Sequence, residues 1–86
     1  MSRRCLPSER DQAHAAAENL AALEIVDAAD VLPPSKGVRD RWSVDVLVAT
    51  AAGGVPPTVA DIVARHELTI ELVQRQGRHR NAVFVV

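Results

Sequence analysis

Apolar residues recur along this chain at two spacings. Ala13, Ala16, Ala17 and Leu20 fall at the helical period. Ahead of them, Ser8-Glu9-Arg10-Asp11 has the form of a capping box, with Ser8 able to accept from the backbone near Asp11. The spacing predicts a helix whose buried face is made of small residues, able to lie close to a sheet. Trp42 to Thr50 alternates instead: Trp42, Val44, Val46 and Val48 face one way, and Ser43, Asp45, Leu47 and Ala49 the other. This predicts a strand.

Between these segments, Leu23 to Leu32 fits either a continued helix or a strand. Leu23, Ile25, Ala29 and Val31 share a face at period two, and the β-branched pair Ile25-Val26 favours strand. Strand is the assignment carried forward, and Pro33-Pro34 ends it. Downstream, Gly53-Gly54-Val55-Pro56-Pro57 breaks the chain and Thr58-Val59-Ala60-Asp61 reads as a second capping box. Val59, Ile62, Val63 and His66 then mark one face of a short helix. Thr69 to Gln74 alternates, Gly77 anchors a polar turn, and Ala82 to Val86 is wholly apolar. Two strands around a glycine-bearing loop predict a hairpin.

The resulting order is helix, strand, strand, helix, strand, strand, with strands at 23–32, 41–50, 69–75 and 82–86. The crossover through the second helix is expected to be right-handed, and the hairpin makes the last two strands neighbours. Placing 82–86 between 41–50 and 69–75 gives the sheet order 69–75, 82–86, 41–50, 23–32. All neighbours are then antiparallel, with both helices on one face. This two-layer α+β sandwich resembles a circularly permuted ferredoxin-like fold, its first strand moved to the end of the chain. The apolar last strand suits a central position, and the charged strands 23–32 and 69–75 suit the edges. The uncovered face would carry Leu47, Val73 and one side of the last strand. The alternative is a winged helix, in which Thr58–His66 and Thr69–Gln76 form a helix-turn-helix and Arg78–Val86 a wing.

Composition narrows the classes. The chain has 86 residues, one domain's worth, expected to span 8–86 after a frayed tail at 1–7. Trp42 and Phe84 are its two aromatics, so the core must be built from alanine, valine and leucine. A net charge of −1 argues for no polyanion as a partner. A single cysteine, Cys5, rules out an internal disulfide and a multi-cysteine metal site. No apolar run reaches membrane-spanning length, and no apolar stretch follows Arg3-Arg4, so no secretory signal is expected. The expected location is cytoplasmic.

The candidate chemistry lies in the basic turn Arg75-Gln76-Gly77-Arg78-His79-Arg80-Asn81. In the expected topology this turn meets the end of strand 41–50 and the start of the second helix. Gly53, Gly54, Thr58, Arg75, Arg78, His79 and Arg80 would then form an anion site of glycines, helix amides and cations. No Walker pattern or GxGxxG accompanies them. Asp11, His14 and Glu18 share a helix face, which helix-surface charge pairing explains without a metal. No nucleophile, base and orienting group come together, so no catalytic set is expected, and no metal or cofactor. The expected function is a non-enzymatic domain that forms a homodimer through its open sheet face and binds a partner or a small anionic ligand. The alternative is a nucleic-acid-binding regulator using the 75–80 turn as a wing or loop.

Overall fold

The computed structural model describes residues 8–36, 40–50 and 54–86, so the expected tail at 1–7, Cys5 and Gly53 lie outside the described residues. Helix α1 runs Glu9–Ala21, and the Ser8 hydroxyl accepts from the Asp11 amide at 3.1 Å, as the capping box requires. Its buried residues are Ala13, Ala16, Ala17 and Leu20. Three of these four are alanines, so the helix axis can sit near the sheet.

The ambiguous run after α1 is a strand, but a shorter one. The Leu23 amide bonds to the Leu20 carbonyl and the Val26 amide to the Leu23 carbonyl, turning the chain before β1 begins at Val26–Leu32. Strand β2 follows at Ser43–Ala49, then α2 at Pro57–Arg65, β3 at Ile70–Arg75 and β4 at Arg80–Val85. The sheet order is β1-β2-β4-β3, and every pairing is antiparallel. This is the order expected from the sequence. The winged-helix alternative is overturned, because Ile70–Arg75 is a strand paired along β4 rather than a recognition helix.

The core lies between the sheet and the helices. Val44, Val46 and Val48 of β2 and Val83 and Val85 of β4 pack with Ala13, Ala17 and Leu20 of α1 and Val59 and Val63 of α2. Trp42 packs, half-buried, against this cluster. Burying a valine or leucine side chain contributes about 1.5–3 kcal/mol, so β4, central and apolar on both faces from Ala82 onward, organises the domain. The helices are also joined by a polar contact, with the Asn19 side-chain amide 2.8 Å from His66 Nε2.

Three local expectations are corrected. Helix α2 starts at Pro57 with Pro56 as its N-cap, and no side chain caps it; Thr58 stands inside the first turn. Proline at the first helical position has its φ preset and no amide to satisfy, so the helix begins before the threonine. Second, a bulge between Val26 and Ala28 puts Val26, Ala29 and Val31 on the core face and Ala28 on the other. Third, a bulge between Ile70 and Leu72 exchanges the faces of β3. One extra residue in a strand inverts the parity of those after it. Leu72, opposite Phe84, therefore lies on the uncovered face, while Val73, opposite the core residue Val83, lies on the helix side.

Candidate functional site

The hairpin turn, the end of β2 and the segment before α2 do converge at one corner of the sheet. Gly77, at φ +76°, makes the turn, a conformation that favours glycine. Beyond the end of β2, the Thr50 amide donates to the His79 carbonyl at 2.7 Å. Gly54, at φ +88°, turns its carbonyl to accept from Asn81 Nδ2 at 2.8 Å. The sequence-predicted residues Gly54, Arg75, Arg78, His79 and Arg80 are thus neighbours through this backbone.

Within that corner, the arginines have different employments. Arg75 is on the helix side of β3, opposite Asn81. Its Nη1 donates to Asn81 Oδ1 at 3.0 Å and to the Thr50 carbonyl at 3.2 Å, and its Nη2 donates to the Arg78 carbonyl. A guanidinium spread over two carbonyls and an amide oxygen is a brace for the turn. Arg80 Nε lies 2.6 Å from Asp27 Oδ2, so its charge is already met by a carboxylate of β1. Arg78 and His79 are exposed, and neither side chain has a hydrogen bond or ion pair among the described residues.

The α2 end of the corner offers few donors. Pro57 has no amide hydrogen, and the Val59 and Ala60 amides both bond to the Pro56 carbonyl at 3.1 Å. Thr58 is exposed on the first turn, with the remaining amide of that turn. Of the six candidate residues that are described, the basic side chains without a hydrogen bond or ion pair among the described residues are those of Arg78 and His79. At the opposite end of β2, Arg41 pairs with Glu9 at 3.3 Å.

A second feature lies on the sheet face that the helices leave uncovered. Register places Ala28, Asp30 and Leu32 of β1, Asp45 and Leu47 of β2, Ala82 and Phe84 of β4, and Leu72 and Gln74 of β3 on this face. A shallow cavity of about 270 Å³ lies there, lined by Ala28, Asp30, Asp45, Leu47, Gln76, Ala82 and Phe84. Asp30 and Asp45 are direct cross-strand partners. Partial burial, and then the neighbouring Asp30 carboxylate, push the Asp45 carboxyl above its ordinary value of 3.8.

Sequence reasoning did not single out Asn81, Asp27 or the Asp30–Asp45 pair. Asn81 carried a usable signal, since a lone amide leading the apolar strand Ala82–Val86 must find internal partners when buried. No group of three or more His, Cys, Asp or Glu side chains suited to a metal ion occurs among the described residues. No helix among the described residues is long and apolar enough to cross a membrane. Comparison with protein-family models, curated proteins and solved structures finds no match for this chain.

Proposed function

We propose that this chain is a small non-enzymatic interaction domain that self-associates through the uncovered face of its sheet. The observation that carries the reading is the one-sided layering: Leu47, Leu72 and Phe84 lie on the side opposite α1 and α2. Leu72 is 41% exposed. Apolar surface gathered on one face marks an interaction surface when it is larger than scattered single residues. A second copy supplies the same chemistry, and twofold contact of one patch with itself is the commonest way soluble chains assemble.

The basic corner has a subsidiary part in this reading. Arg78 can attract an anionic ligand, or the phosphates of a nucleic acid, by charge, with His79 beside it in the turn. Arg75 and Arg80 support the turn that presents them. Binding of that kind is weak, and falls with added salt.

The test is light scattering on the unmodified chain and on a Leu47→Lys variant. The lysine stem keeps the sheet covered while its ammonium opposes a dry contact. The unmodified chain should associate, and the variant should lose the face contact with its circular dichroism unchanged. A chain whose association ignores the substitution would refute the face as the contact surface.

A further inference from the structure

The uncovered sheet face is not uniformly apolar. Asp45 of β2 has Phe84 of β4 directly across on one side and Asp30 of β1 directly across on the other. Leu47 follows it two residues along the same face of the strand. Asp30, Asp45, Leu47 and Phe84 line one shallow cavity. A contact that covers Leu47 and Phe84 therefore covers the Asp45 carboxyl as well, with the exposed Asp30 at its rim.

The charged groups around this pair do not neutralise it. No ion pair reaches Asp30 or Asp45 among the described residues. On β4, Arg80 stands opposite Ala49, four residues along β2 from Asp45, and is held by Asp27 of β1. From β3 the face receives Leu72 and Gln74, and the uncharged Gln76 joins the cavity lining. Arg75 lies on the helix side, engaged with Asn81 and Thr50, and Glu71 sits at the β3 bulge, two strands away from β2. On α1, His14 and Glu18 line a separate cavity with Asp30. Carboxylates directly opposite each other repel, and burying an unpaired carboxylate costs far more than burying its protonated form.

We infer that self-association through this face takes up a proton at the Asp30–Asp45 pair of each chain, so that the contact tightens as the solution is acidified. The inference rests on the face contact proposed above and adds its regulation. Protonation removes the repulsion between the two carboxylates and turns one of them into a hydrogen-bond donor. In the free chain, burial and then Asp30 already raise the Asp45 carboxyl. Covering the face removes the water that remains and raises it further. The associated chain therefore holds the proton over a pH range in which the free chain releases it. Each proton bound on association changes the dissociation constant by about tenfold per pH unit within that range. A twofold contact buries two pairs, so the change reaches about a hundredfold per pH unit. The contact is tightest below the free chain's raised value, weakens as pH rises toward the higher value in the contact, and carries the full cost above it.

The experiment is sedimentation equilibrium on the unmodified chain and on Asp45→Asn, each at about pH 5 and about pH 7. Asparagine keeps the shape of the side chain and brings no charge to bury. The unmodified chain should bind its copy at least about tenfold more tightly at the lower pH. The variant should associate at the higher pH as tightly as the unmodified chain does at the lower, with little change between the two. Followed by NMR, the Asp45 carboxyl should titrate at higher pH in concentrated protein than in dilute protein. Association whose strength ignores pH, or a variant that keeps the full pH dependence, overturns the inference and leaves the face contact standing. A carboxyl that titrates identically at both concentrations while the chain associates also overturns it. A chain that stays monomeric at both pH values, variant included, overturns the face contact and this inference with it.

Discussion

Arg75 and Asn81 face each other across the β3–β4 ladder, with Arg75 Nη1 3.0 Å from Asn81 Oδ1. Asn81 is 1% exposed and passes the connection on to the Gly54 carbonyl at 2.8 Å. Removing the Asn81 side chain strands a guanidinium contact and a partly buried carbonyl together. Asn81→Ala should lower the unfolding free energy by about 1–3 kcal/mol, read as a lower urea midpoint with an unchanged slope.

The Arg80–Asp27 pair is half-exposed, and exposed ion pairs contribute little. Arg80→Ala should therefore cost at most about 1 kcal/mol, and Arg78→Ala should leave stability unchanged. If the corner attracts anions, Arg78→Ala should reduce low-salt retention on a heparin column. Equal retention of the variant and the parent would remove the anion-binding part of the account.

Asp45 contributes a pH dependence of definite sign. Its carboxyl is raised in the folded state, first by burial and then by Asp30. The folded state therefore holds this proton more tightly than the unfolded state. Stability falls as pH rises from near 3.8 through the raised folded value, and the full penalty persists above it. Asp45→Asn removes a directly opposed like charge and should stabilise the domain at neutral pH by about 0.2–1 kcal/mol. Thermal melts should show the gap between variant and parent closing as pH is lowered toward 3.8. A gap that is constant with pH would contradict the assignment.

Strand β4 lies between β2 and β3 and supplies Val83 and Val85 to the core. Deleting residues 82–86 should abolish the fold, leaving a far-ultraviolet spectrum without strand signal. An edge strand would tolerate far more.

The fold was largely legible because alternation and helical spacing report burial directly. The alanine face of α1, the Val44-Val46-Val48 stripe and the fully apolar end of the chain named the core and its central strand. What was hidden depends on single-residue events. The bulge at β3 exchanged Leu72 and Val73 between faces, and no residue type there announces it. Pro57 began α2 ahead of the capping pattern at Thr58. The roles of Arg75 and Arg80 depend on Asn81 and Asp27, partners 6 and 53 residues away in sequence, and their pairing follows from register that composition does not encode.

Self-association through the sheet is read by sedimentation equilibrium across a wide concentration range. It predicts a mass that rises from the 9.3 kDa of one chain to at least twice that value. Leu47→Lys should hold the mass at that of one chain. An unmodified protein that stays at 9.3 kDa at every concentration would contradict it.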